Sequence, residues 1–202
     1  MHYMASPYRY LKFWLLPFIR SRIRVEGLDH LPADGRFVVT PNHRSWVDSA
    51  LVAAALYNNI PKTLKFISQS NKYPYFGALA IHDYNRGEVL NVAHGYLTSG
   101  HPVVLFPEGN AHKDGTLRPG KTGAARLAIR ANAPILPVAI IGSRGLAMWK
   151  SFLWFFAWWM PCRIIIGKPY HLEPLRDPNS KEELYARTEK IISTIHHLMS
   201  TS

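Results

Sequence analysis

The chain reads as a single α/β domain: a mixed, mostly parallel β-sheet flanked by helices. Two patterns predict this. Short apolar, β-branched runs bounded by turn residues recur along the chain, as buried strands do. Helical stretches lie between them, which is the order of an α/β domain. The 202 residues, 48% hydrophobic and 18% charged, are enough for one real core and exclude a disordered chain.

Residues 1–21 are basic and aromatic and carry no acid. Phe13 to Ile19 is apolar but too short to span a bilayer, and Pro17 breaks it. No small-residue cleavage site follows, so a signal peptide is not expected. The segment is expected at a membrane interface; the alternative is a terminal helix packed on the domain. The domain proper is placed at 22–202. Ile23 to Gly27 reads as its first strand, followed by a turn region around Pro32 and Gly35. Phe37 to Thr40 reads as a buried strand and Ser49 to Tyr57 as a packed helix. Lys65 to Ser68 is a short strand. A turn at Pro74 to Gly77 leads to a short apolar piece that ends at Asn85-Arg86-Gly87. Asn91 to Ser99 is expected to be helical, stopped by Gly100. Val103 to Phe106 is a strand, Arg118 to Asn132 a helix, Ile135 to Gly142 a strand and Arg163 to Ile166 the last strand. Ser180 to Met199 opens with a capping box, Ser180 to Glu183, and reads as an amphipathic helix.

The net charge of +11 implies an anionic partner: nucleic acid, an anionic membrane or a phosphorylated substrate. Aromatics at 12% favour a membrane surface, and no nucleic-acid motif is present. Four of the six tryptophans, Trp149, Trp154, Trp158 and Trp159, fall between Leu146 and Met160. That segment is also too short to span; it is expected at the interface, or else as a core element or a lid. The single cysteine, Cys162, excludes an intrachain disulfide framework and thiolate-rich metal sites.

The chemistry gathers at Asn42-His43-Arg44-Ser45-Trp46-Val47-Asp48, where a strand gives way to a helix. Residues five apart on one helix point roughly 140° away from each other. His43 and Asp48 therefore meet most easily when His43 lies on the turn and Asp48 in the first helical turns. Asp48 then fixes one ring nitrogen and leaves the other as a base. The plain alternative is a turn histidine with Asp48 capping the helix. A second turn, Pro107-Glu108-Gly109, also follows a strand, and ligands bind beyond the carboxyl ends of strands in open α/β sheets.

The His43–Asp48 block resembles the catalytic His-x4-Asp motif of the glycerolipid acyltransferases, the lysophosphatidic acid acyltransferase group. Phe106-Pro107-Glu108-Gly109 resembles their glycerophosphate-binding motif, Gly77 and Arg86-Gly87 their second block, and Ile135 to Gly142 their fourth. Lys121-Thr122-Gly123-Ala124 resembles the basic turn between blocks. The blocks keep the family's order over about residues 22–170. The resemblance implies a glycerol-3-phosphate acyltransferase-like fold. It implies acyl transfer from acyl-CoA or acyl-carrier protein to the free hydroxyl of a lysolipid, 1-acylglycerol-3-phosphate giving phosphatidic acid. His43 and Asp48 are then catalytic; Glu108, Gly109, Arg86, Gly77 and Lys121 bind substrate, with no metal or resident cofactor. Membrane-soluble substrates, the basic aromatic N-terminus and the tryptophan segment together give the expectation of a peripheral enzyme on an anionic membrane surface, at the cytoplasmic face. After Gly109 the family continues Thr-Arg-Ser, whereas Asn110-Ala111-His112 stands here, which removes one expected cation. Another lysolipid or an amine-lipid acceptor, or a non-catalytic basic membrane-binding protein, are the alternatives.

Overall fold

The computed structural model describes residues 14–45, 47–68, 78–80, 86–109, 120–143 and 162–201. Its strands are β1 (Ile23–Glu26), β2 (Val38–Pro41), β3 (Lys65–Ser68), β4 (Ala78–Ala80), β5 (Val103–Val104), β6 (Ile135–Ile141) and β7 (Cys162–Ile166). Its helices are α1 (Leu16–Arg20), α2 (Asp48–Leu56), α3 (Arg86–Thr98), α4 (Gly123–Ala131) and α5 (Lys181–Ser200). The strands form one sheet in the order β1-β7-β6-β2-β5-β3-β4. β2 to β6 all run parallel. β7 runs against β6, and β1 follows β7. The mixed, mostly parallel sheet expected from the sequence is thus the observed one.

Alternation along each strand separates two cores. Val39, Val104, Phe106, Leu136 and Ile140 face α1 and α2. Val38, Val103, Leu105 and Ile135 face α3, α4 and α5. Helix α2 is buried nearly all round, so Leu51 to Leu56 are all sequestered; such a helix is held by packing rather than by one apolar stripe. Leu16 and Ile19 of α1 are also buried in that core. The described part of the N-terminal segment from Leu16 onward therefore packs on the domain, while Trp14 stays 77% exposed. Among the described residues no helix is long and apolar enough to cross a membrane.

Three expected boundaries move. Of the strand expected over Val103 to Phe106, β5 keeps only Val103–Val104. Helix α3 begins at Arg86 rather than Asn91. Val89, Ala93 and Leu97 repeat every four residues and are buried, and this packed stripe carries the helix through Gly87 and Gly95. The helix expected from Arg118 begins only at Gly123, because the Lys121 amide is committed to the Pro107 carbonyl at 2.7 Å. The capping box of α5 is half formed. Ser180 Oγ accepts from the Glu183 amide at 3.2 Å, but the Glu183 carboxylate accepts from the Arg176 amide instead.

Candidate active site

β2 and β5 are neighbours whose outgoing connections diverge. β2 leads to α2 on one face of the sheet, and β5 leads to α4 on the other. Diverging connections open a crevice at the carboxyl ends of the two strands. His43 follows β2 and Glu108 follows β5, so both stand at that crevice.

The turn after β2 folds around one carboxylate oxygen. Asp48 Oδ2 accepts from His43 Nδ1 at 3.1 Å and from the Arg44 and Ser45 amides at 2.7 Å each. Two successive amides aimed at one oxygen make a small anion nest. Asp48 is thus the first residue of α2, but it binds the turn before the helix rather than capping the helix itself. The aspartate is completely buried, whereas the His43 side chain keeps 18% exposure. Because Asp48 Oδ2 accepts, Nδ1 carries the proton and Nε2 presents its lone pair. The imidazole lies on the Phe106 ring, with centroids 4.1 Å apart and planes 26° from parallel. Phe106 can serve as that platform because the strand alternation turns it to the α2 face.

The turn after β5 meets the first one directly. Glu108, 5% exposed, accepts the His43 amide on Oε1 at 2.8 Å. Gly109 closes the turn with φ +78°, and its amide donates to the Phe106 carbonyl at 3.0 Å. A Cβ at Gly109 would meet the Lys121 ammonium nitrogen, Cδ and Cε at 2.5–2.6 Å, so the Lys121 side chain lies across this turn. His43, Asp48, Glu108, Gly109 and Lys121 are therefore brought together.

Arg86 is the first residue of α3. The other end of α3 runs through Gly100 into β5, at the amino end of the sheet, which sets Arg86 at the His43 end. Gly77, Trp46, the stretch from Asn110 to His112 and the tryptophan segment lie outside the described residues. A cavity of about 270 Å³ is lined by Leu16, Ala53, Tyr57, Leu64 and Phe66. Lys62 and His101 also line it, near the amino ends of β3 and β5, away from the dyad. Among the described residues no group of three His, Cys, Asp or Glu is placed to hold a metal ion.

Residue types and spacing did not point to Asn42, Ser45 or Phe106. Asn42 is 1% exposed and bonds both ways to Ile140: Nδ2 donates to its carbonyl at 3.0 Å, and Oδ1 accepts from its amide at 2.6 Å. Asparagine directly before the histidine is the signal in the sequence, but its partner lies 98 residues away.

The model of the family described as Acyltransferase matches residues 22–141 of the chain. The 1-acyl-sn-glycerol-3-phosphate acyltransferase of Bacillus subtilis (strain 168) is 27% identical over 191 residues, which is 89% of each protein. The human 1-acyl-sn-glycerol-3-phosphate acyltransferase alpha is 29% identical over 128 residues, covering 59% of this chain but 45% of that protein. The crystal structure of the 1-acyl-sn-glycerophosphate acyltransferase from Thermotoga maritima has the same fold, with a TM-score of 0.61. It is 23% identical, and the match covers 97% of this chain and 84% of that one.

Proposed function

The chain belongs to the acyltransferase family, and from that premise we propose that it moves a fatty acyl group from a thioester to the free hydroxyl of a lysolipid. The acceptor we assign is 1-acylglycerol-3-phosphate, giving phosphatidic acid; the donor is acyl-CoA or acyl-carrier protein. The observation that carries this reading is the His43 Nδ1–Asp48 Oδ2 bond of 3.1 Å in a turn whose own amides hydrogen-bond the aspartate. The names of the relatives, and the agreement with the Bacillus subtilis protein over nearly its whole length, support the choice of acceptor.

An alcohol attacks a thioester slowly at neutral pH unless its proton leaves as the bond forms. His43 Nε2 takes that proton while the hydroxyl oxygen bonds to the thioester carbonyl carbon. The tetrahedral intermediate collapses, the C–S bond breaks, and the leaving thiolate takes the proton back from His43. Asp48 holds the ring tautomer and stabilises the imidazolium, the role the aspartate plays in serine hydrolases. The nucleophile belongs to the substrate, so no acyl-enzyme forms. Arg86 and Lys121 supply the cations for the acceptor phosphate by charge-assisted bonds, with Gly109 permitting the tight turn and Gly77 among the acceptor-binding residues. The basic, aromatic N-terminus and the tryptophan segment hold the enzyme on an anionic membrane surface at the cytoplasmic face, where its lipid substrates reside.

The test is turnover by the purified protein with a panel of lysolipids and labelled acyl-CoA or acyl-carrier protein. The reading requires 1-acylglycerol-3-phosphate to be the best acceptor. Preference for an amine-lipid, or no transfer to any hydroxyl, overturns it.

A further inference from the structure

The peptide that carries His43 is held from both sides, by Asn42 and by Glu108. The β2–β6 ladder pairs Pro41 with Val138 and then stops, so two residues on, His43 would fall opposite Ile140. Asn42 takes that place with its side chain, which bonds to both the amide and the carbonyl of Ile140. A primary amide offers a carbonyl acceptor and, on its NH2, a donor that can stand in for a peptide N–H, so it continues the ladder without the backbone. His43 is thereby released from the sheet. Its amide turns toward the other neighbouring strand and donates to Glu108 Oε1 at 2.8 Å. Asn42 and Glu108 are both more than nine-tenths buried, where an unmade hydrogen bond is costly.

We propose that Asn42 and Glu108 are positioning residues, a brace from β6 to the turn after β5 that sets where the His43 imidazole stands over Phe106. This gives Glu108 a task through the base rather than through the acceptor, and it assigns Asn42 a task for the first time. The inference rests on His43 acting as the base. A group misplaced by about 1 Å in such a site can cost about 10²-fold in rate, with binding little changed. The loss should therefore fall on kcat.

Three sets of variants test the brace against a site that acts on the acceptor. Asn42→Ala and Glu108→Ala should each lower kcat by about 10²-fold, with KM for donor and acceptor within about twofold of wild type. Both should also move the acid limb of the pH–rate profile, because the imidazole then meets Asp48 at a different distance. Glu108→Gln keeps an acceptor oxygen for the His43 amide, and it should recover at least a tenth of wild-type kcat. A rise in acceptor KM with kcat intact in both Glu108 variants makes the glutamate an acceptor ligand and overturns its place in the brace. Wild-type kcat and pH profile in folded Asn42→Ala overturns the other half. If Asn42→Ala does not fold, the Glu108 pair decides alone. His43→Ala, run beside them, separates the two levels: activity in that variant removes the base itself, whereas an inactive His43→Ala with unaffected brace variants removes only the brace.

Discussion

The turns after β2 and β5 face each other across one crevice but are closed in different ways. The turn after β2 is closed by its own residues. Asp48, His43, Arg44 and Ser45 bind one another within six positions of sequence. The turn after β5 is closed from outside: Lys121 reaches across Gly109, and the Glu108 carboxylate is spent on the His43 amide. The cage around the Asp48 carboxylate is built from the turn's own residues, while the His43 peptide is braced from outside by Asn42 and Glu108. A turn completed by distant residues can change its ligand by changing those residues. The difference suggests that proton transfer resides in the first turn and acceptor choice in the second. Variants in the first, and Glu108, whose carboxylate serves the His43 amide, should then lose kcat, whereas variants at Gly109 and Lys121 in the second should alter KM.

The largest effect is expected at His43. His43→Ala should lower turnover by about 10²–10⁴-fold, with the unfolding midpoint little changed, since the side chain is partly exposed. Steady-state rates with saturating donor and acceptor measure it; near-wild-type turnover would exclude the mechanism. Asp48→Asn comes next. It keeps an oxygen for the amides but can no longer fix the tautomer as a carboxylate does, so a loss of about 10²-fold or more is expected with acceptor binding retained. Asp48→Ala should also destabilise the fold by about 1–3 kcal/mol for each amide left without an acceptor, which a denaturant titration will read.

The second turn should respond in the other parameter. Lys121→Met removes the cation and keeps the length, and it should raise the acceptor KM several-fold while leaving the donor KM alone. Gly109→Ala should resemble it by a different route. The new methyl group meets the flexible end of Lys121, which can move aside, but φ +78° costs an L-residue about 1–2 kcal/mol. The variant should lose a little stability and displace the ammonium. If Lys121→Met and Gly109→Ala lower kcat and leave the acceptor KM unchanged, the division of labour between the turns is wrong.

How much of this the sequence revealed follows the same division. The His43–Asp48 pair was legible because both partners lie on one short stretch and because strand-then-helix geometry lets five positions close. β2 and β6 were legible because they are short β-branched runs covered on both faces, whereas β4, Ala-Leu-Ala, has no β-branched residue and read only as a short apolar piece. The Glu108–His43 bond was not legible, since its partners lie 65 residues apart and meet only when β5 inserts beside β2. The Asn42 brace depends on the register of β2 against β6, which composition does not encode. The reversal of β1 and β7 was hidden for the same reason: an apolar run does not state its direction. At α3 the glycines suggested a turn where tertiary packing makes a helix.

The smallest effect concerns what lies beneath the first turn. Cys162, at the start of β7, is buried in the same core as α2. Burial, and secondarily the nearby Asp48 charge, push its thiol up from 9.0 to about 12. Two outcomes follow. First, the folded protein should resist thiol alkylation near pH 8, because the thiolate is the reactive form. Second, stability should fall in the alkaline range. Below pH 9 the thiol is protonated in both folded and unfolded chains and contributes no pH dependence. Between about pH 9 and 12 the unfolded chain loses that proton and the folded one keeps it, so unfolding is favoured as pH rises. Tyr170, also raised by burial, acts in the same direction, whereas Lys65, lowered by burial, acts in the opposite one. The wild type must therefore be compared with Cys162→Ala. The variant should lose stability less steeply from pH 9 to 12, whatever its level at neutral pH. Equal slopes, or rapid alkylation of the native thiol, would mean that the floor under Asp48 is open to water. The dry surroundings of the Asp48 cage would then need another support.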